Sequence, residues 1–289
     1  MMTARDWVAG ARPRTLWTAV SAVAVGTAAA AAAGGFRLEP ALVALGVGLA
    51  LQIASNYAND YADGVRGTDL NRLGPERLVA SGRATPSQVK RAAFWAFGIG
   101  AVLGLYLVLI SGQWWLLAVG ALAMVAAWTY TASAKPYGYS GWGEVSVLFF
   151  FGPVAVLGTM LTQAGTVTWW AVVASVAVGL WAVAMLMINN IRDLEGDQLA
   201  GKRTRAVQLG NSRVRNLFAL VVVTPLVLAL AVAVPHPWVL LTWVTAAPAV
   251  FIAVAMRMGP RGIALRPFFS GVSAVGLAFG LLLAVGLAL

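Results

Sequence analysis

The 289-residue chain contains no cysteine and a single histidine, His236. Disulfides, thiolate metal centres, iron–sulfur clusters and cysteine nucleophiles are therefore excluded. A metal site built from clustered histidines is excluded too, and a Ser-His-Asp triad is disfavoured, because His236 sits in a rigid loop between Pro235 and Pro237. Charge is also scarce. Only 10% of the residues are charged, whereas soluble domains carry about 25%, and 60% are hydrophobic. A chain this apolar cannot cover its own surface with polar groups, so lipid must be its solvent.

What the sequence does contain is long apolar runs. Nine of them can be marked, at roughly 16–33, 41–58, 92–110, 114–132, 145–161, 169–188, 217–234, 238–256 and 268–289. Each is close to the about 20 residues that span a bilayer as a helix. Trp114, Trp115, Trp169, Trp170 and Trp238 stand at the starts of runs, where amphipathic rings favour the interface. The first run is longer than the 7–15-residue apolar core typical of a secretory signal, so it is expected to remain as a span.

The net charge of +10 raises the question of nucleic acid, but the distribution of charge points to topology instead. Three basic residues precede the first run, six follow the second, one follows the fourth, six follow the sixth and three follow the eighth. Only Arg37 falls on the other side. The positive-inside rule then places the amino terminus in the cytoplasm and the carboxyl terminus outside the cell membrane. No nucleic-acid partner is expected. The expected fold is an all-α membrane protein forming one domain over 1–289, with nine transmembrane helices. Two polar connections, about 59–91 and 189–215, follow the second and sixth runs. That offset suggests two four-helix halves plus a ninth helix around a central cavity, as in repeat-built membrane proteins.

Seven of the ten acidic residues lie in those two connections. The second cluster reads Asn189-x-x-x-Asp193-x-x-x-Asp197, and four-residue steps stack side chains on one helix face. Like charges stacked this way repel unless a cation lies between them. The first cluster, NDYADGVRGTD, places Asn59 and Asp63 four apart and Asp69 six further on. Carboxylate and amide oxygens suit a hard cation such as Mg²⁺, which takes one or two carboxylates and completes its shell with phosphate oxygens. Arg66, Arg72, Arg77, Lys202 and Arg203 alternate with these acids and would hold the remaining phosphate charge. The pattern fits a metal–diphosphate site better than a metal-only one.

These two clusters resemble the Asp-rich signatures of the UbiA superfamily of intramembrane prenyltransferases. ARPRT (11–15), NDYADGVRGTD (59–69), LVASG (78–82), YTASAKPYGYSGWGE (130–144) and NNIRDLEGDQLAGKRT (189–204) are similar to the branch of 1,4-dihydroxy-2-naphthoate polyprenyltransferases of menaquinone biosynthesis. The first motif departs from the superfamily's four-residue steps: its third position is Gly67, and the acid is displaced to Asp69. The resemblance implies a cytoplasm-facing cavity, Mg²⁺ as cofactor, a polyprenyl diphosphate donor and a dihydroxynaphthoate-type acceptor that loses CO₂. It implies Asn59, Asp63, Asp69, Asn189, Asp193 and Asp197 as the metal set, with Asp63, Asp193 and Lys135 in catalysis. Arg12, Arg66, Arg77, Tyr130, Lys202 and Arg203 are then substrate-binding candidates. Lys135 or Arg12 would meet the acceptor carboxylate, with Tyr130, Tyr137 and Tyr139 close in sequence. The alternatives are another acceptor, such as 4-hydroxybenzoate, or a divalent-cation transporter.

Overall fold

The computed structural model describes residues 3–68 and 77–289. All regular structure among them is helical. The chain opens with α1 (Ala4–Ala11), capped by a reciprocal Thr3–Asp6 box. It turns through Pro13–Thr15 into α2 (Trp17–Ala32), bent by 51° from the segment before it. Then come α3 (Leu38–Arg66), α4 (Pro86–Ser111), α5 (Leu116–Thr129), α6 (Gly143–Ala164) and α7 (Trp169–Arg192). The short α8 (Leu194–Leu199), α9 (Arg205–Val232), α10 (Pro237–Arg257) and α11 (Gly262–Ala288) complete the described chain.

Seven of these helices are long and apolar enough to cross a membrane, or eight if α1 and α2 form one broken span. Helix α5, at 14 residues, extends only about 21 Å at 1.5 Å per residue, less than the about 30 Å of a hydrocarbon core. The apolar runs therefore mark real helices, but several helix ends lie well outside them. Helix α3 continues eight residues past its apolar run to Arg66, α4 begins at Pro86 rather than 92, and α9 begins at Arg205 rather than 217. Polar residues at a helix end look like a loop to hydropathy, although their backbone is largely helical; α9 is kinked within its polar start at Gly210, whose φ is 75°.

Helix α7 is the centre of the bundle. In its most apolar stretch 72% of residues are buried, against 28–44% in the other long helices. Trp181, Met187 and Ile188 of α7 pack in one cluster with Phe218 of α9, Phe279 of α11 and Val25 of α2. Because lipid tails are as apolar as these side chains, close packing through small residues must hold the helices together. Gly179 illustrates this: a Cβ there would lie 2.8 Å from the Leu148 carbonyl and 3.1 Å from the Cα of Gly152. Near that contact α6 widens into a π-turn over Phe150–Leu157 around Pro153, which cannot donate to the regular ladder.

Gly179→Val should accordingly lose about 1–3 kcal/mol through overpacking, measured as a lower unfolding temperature in detergent. Gly98→Ala, where a Cβ meets nothing within 4 Å, should leave that temperature unchanged or slightly raised.

Candidate active site

The C-terminal end of α3 holds a heavily engaged carboxylate. Asp63 is 4% exposed and accepts from Arg77 Nη2 at 3.3 Å, Lys202 Nζ at 3.5 Å and Thr68 Oγ1 at 3.2 Å. Tyr139 donates its phenolic hydrogen to the same carboxylate. Burial first, and then the Asp63 charge, push the Tyr139 phenol well above its usual range, so it stays a neutral donor. Its ring lies between two cations, with Lys202 Nζ 4.5 Å and the Arg66 guanidinium carbon 5.6 Å from the centroid, an arrangement that attracts both charges to the π-face.

Local backbone chemistry explains why Asp63 and Asp197 face this centre. Gly67 has φ 69° and ends α3; Gly201 has φ 71° and ends α8. At α3, Thr68 N donates to Asp63 O at 3.1 Å and Gly67 N to Gly64 O at 3.2 Å. At α8, Lys202 N donates to Asp197 O at 2.9 Å and Gly201 N to Gln198 O at 3.2 Å. Both ends are thus Schellman motifs, which need a left-handed residue that glycine adopts without cost. In each, the residue after the glycine folds back on the Asp: Thr68 reaches Asp63, and Lys202 Nζ lies 3.6 Å from Asp197 Oδ1. Lys202 therefore joins the two acidic clusters.

The second cluster differs from the single stacked helix face expected for it. Helix α7 ends at Arg192, Asp193 caps it with φ −93° and ψ 7°, and Asp197 belongs to α8. The break lets adjacent side chains meet. Arg192 Nε and Nη2 each donate at 2.7 Å to the two oxygens of Asp193. The i→i−4 bonds still run through the junction, Asp193 N to Asn189 O at 2.9 Å and Asp197 N to Asp193 O at 2.7 Å. A cavity of about 550 Å³ lies here, lined by Asp193, Asp197, Lys202, Arg192, Arg215 and Thr68 among others.

A second cavity, about 350 Å³ and mostly apolar, runs between α2 to α7. Phe150, Phe151, Tyr130 and Tyr137 line it, with Asn59 and Asn189 at its edge toward the Asp clusters. Arg12 also lines it. Pro13 disfavours a right-handed helical conformation at the residue before it, and Arg12 is the one non-glycine residue with positive φ (53°) among the described residues. Thr15 Oγ1 donates to Arg12 O at 2.9 Å and accepts from Gln52 and Asn56 at 3.1 and 3.0 Å. Asn59 Oδ1 accepts from Thr131 Oγ1 at 2.6 Å.

The structure thus gathers Asp63, Asp197, Arg77 and Lys202 directly, with Asp193 on the shared cavity. Asn59 and Asn189 lie beside the apolar cavity, as do Arg12 and Tyr130. Arg66 donates to the carbonyls of Thr131 and Ser133 just past the end of α5. Arg203 and Lys135 are exposed and line neither cavity, while Asp69 lies outside the described residues. Tyr130 and Tyr137 line the apolar cavity as their place in the sequence suggested, whereas Tyr139 serves Asp63 instead. Sequence reading missed this role of Tyr139, as well as Arg192 and the Thr15–Gln52–Asn56 group. The steps 52, 56, 59 and 63 on one helix were a usable signal for the last.

The oxygen donors suit Mg²⁺. Among the described residues no three carboxylates or imidazoles form a ready cage, but Mg²⁺ rarely uses one, needing one or two carboxylates and phosphate oxygens. Lys202 bridges two carboxylates from different clusters and Arg77 pairs with one of them, so the oxygens of this centre already face positive charge.

Residues 19–263 match the model of the UbiA prenyltransferase family. The chain is 44% identical over 288 residues to a 1,4-dihydroxy-2-naphthoate octaprenyltransferase of Mycobacterium tuberculosis, covering 100% of this chain and 98% of that one. A protein of the same description from Escherichia coli is 40% identical over 227 residues, 76% of this chain and 74% of its own. In fold the chain is similar to a UbiA homolog from Archaeoglobus fulgidus solved bound to GPP and Mg²⁺. The TM-score is 0.67 at 15% identity, over 97% of this chain and 99% of that one. The sequence match and the shared fold agree: this chain belongs to the UbiA prenyltransferase family.

Proposed function

We propose that the chain transfers a polyprenyl group from polyprenyl diphosphate to 1,4-dihydroxy-2-naphthoate, releasing CO₂ and diphosphate and giving demethylmenaquinol for menaquinone biosynthesis. The observation that carries this reading is the meeting of the two Asp clusters on Lys202, beside an apolar, aromatic-lined cavity. Identity of 44% over nearly the full length of a naphthoate octaprenyltransferase supports the same acceptor.

Asp63, Asp193 and Asp197, with Asn59 and Asn189 beside them, are the residues that would hold Mg²⁺. When bound, the metal supplies Lewis-acid stabilisation of the departing diphosphate. The chain's own cations act on the same charge. Arg77 and Lys202 rest on Asp63 and are placed to turn to phosphate oxygens once the carboxylates have another counter-charge. Tyr139 orients Asp63 throughout. In the reaction the allylic C–O bond breaks, and the ring carbon bearing the carboxylate forms the new C–C bond. The carboxylate then leaves as CO₂, returning its electron pair to the ring. Apolar walls keep water from the allylic cation, and the faces of Phe150, Phe151 and Tyr130 suit it. Arg12, at the polar end of the cavity, fits the acceptor carboxylate better than exposed Lys135.

In the membrane we place nine crossings, two four-helix halves and a ninth helix, with the Asp clusters and amino terminus cytoplasmic and the carboxyl terminus outside the cell membrane. The charge asymmetry supports this orientation, and it requires α5 to cross despite its length. Since the chain has no cysteine, Gln113→Cys and Lys135→Cys can each be labelled alone in intact cells. An impermeant maleimide should modify the first and spare the second. Equal labelling of both would remove the crossing by α5.

Asp63→Asn and Asp193→Asn should each lower turnover by at least roughly 10²–10³-fold, the order expected when one charge-stabilising group is lost. Asn keeps the shape. Deleting the side chain would strand buried cations, which costs about 3–5 kcal/mol. Either purified mutant turning over at the wild-type rate removes the metal assignment.

The acceptor can be tested by product mass spectrometry with Mg²⁺, a polyprenyl diphosphate and either aromatic acid. Prenylated naphthoate lacking its carboxylate is expected. Prenylation of 4-hydroxybenzoate alone, with its carboxylate retained, would leave the family intact and overturn the acceptor.

A further inference from the structure

Asp60 stands inside the first acidic motif, next to Asn59 and three residues before Asp63, yet it faces elsewhere. It is 1% exposed. Its Oδ2 accepts from Leu78 N at 2.9 Å and its Oδ1 from Val79 N at 3.0 Å. Both oxygens are therefore committed to the backbone of one turn. That turn is closed by Ser81 N to Arg77 O, Gly82 N to Val79 O and Ala84 N to Leu78 O, each at 3.0 Å. Its first residue, Arg77, is the one that reaches Asp63.

A second feature seats the same turn. Gly64, one helical turn beyond Asp60, lies so close that a Cβ would fall 2.4 Å from Val79 Cγ1 and 2.5 Å from Val79 Cβ. Helix α3 thus offers the turn an acceptor for two N–H groups and a gap for its side chain, four residues apart on one face. The first amides of the turn have no acceptor within it, and the Asp60 carboxylate supplies one to each of Leu78 N and Val79 N.

We propose that Asp60 is a positioning residue for the prenyl diphosphate: it locks the 77–82 turn onto α3 and so fixes the reach of Arg77 to Asp63 and to the donor's phosphates. It is not one of the metal's ligands, despite its place in the motif. The inference rests on the donor site described under the proposed function, and its test separates the two.

Asp60→Asn keeps the size of the side chain and replaces one acceptor oxygen with an amide donor that opposes an N–H. In the full-length enzyme this variant should raise the KM for the prenyl diphosphate about tenfold, with the naphthoate KM within twofold and the Mg²⁺ concentration for half-maximal activity unchanged. Arg77→Gln should show the same split, and the double variant should be no worse than Arg77→Gln alone, as expected of two residues acting through one contact. Amide hydrogen exchange over 77–84 should accelerate at least tenfold in Asp60→Asn and not in Arg77→Gln. Gly64→Ala supplies an independent route: it should reproduce the donor KM rise with the carboxylate intact, and Val79→Gly should rescue it. Unchanged exchange over 77–84 in Asp60→Asn overturns the inference whatever the donor site does. A tenfold shift in Mg²⁺ dependence overturns it in favour of a metal ligand. Faster exchange with no change in donor KM in either Asp60→Asn or Arg77→Gln overturns the donor role of Arg77, and with it the positioning function.

Discussion

A single buried carboxylate organises one end of this bundle. Asp63 is reached from the end of its own helix by Thr68, from the 77–82 turn by Arg77, from the loop after α5 by Tyr139 and from the turn after α8 by Lys202. Removing an ion from water costs several kcal/mol unless partners compensate. The Asp63, Arg77 and Lys202 side chains are at most 10% exposed, so none is comfortable alone. Each loop arrives because the others are there, and charge neutrality does what hydrophobic packing does elsewhere in the bundle.

The same centre shows how the chain ends helices near a bilayer without leaving carbonyls unpaired, which lipid would not forgive. Gly67 and Gly201 close α3 and α8 in the same way and return Thr68 and Lys202 to the Asp one helical turn before each glycine. Two similar helix ends, one from each acidic cluster, thereby aim their carboxylates at one place. An arrangement in which basic side chains neutralise carboxylates at rest is also poised for change. Under the proposed function, a metal and diphosphate would exchange partners with it and keep the total charge balanced.

The all-helical fold was legible because an apolar run of bilayer length satisfies its backbone in lipid only as a helix. The gathering of the candidate site's acids and bases was legible too, because charge is too scarce in this chain to be scattered idly. Legibility failed where a residue's role depends on a neighbour distant in sequence. Tyr139 lies 76 residues from Asp63, and nothing in YGYSG separates it from Tyr137, which lines the apolar cavity. Asp60 has no role assigned from the sequence, and its oxygens turn out to belong to the backbone of Leu78 and Val79. The four-residue step from Asp193 to Asp197 suggested one helix, whereas the helix breaks at Asp193 and frees its carboxylate for Arg192. Gly67, which looked like a lost acid, is the residue that turns the chain.

The most direct test of Asp63 as the shared anchor is thermodynamic coupling in the purified protein. Binding of a non-hydrolysable prenyl thiodiphosphate should be measured by calorimetry with and without Mg²⁺. Metal and donor that share one carboxylate-and-cation centre must strengthen each other by the same factor in either order of addition. At least a tenfold gain is expected in the wild type and none in Asp63→Asn. Donor affinity indifferent to Mg²⁺ in the wild type, or coupling that survives intact in Asp63→Asn, would contradict the role given to this carboxylate.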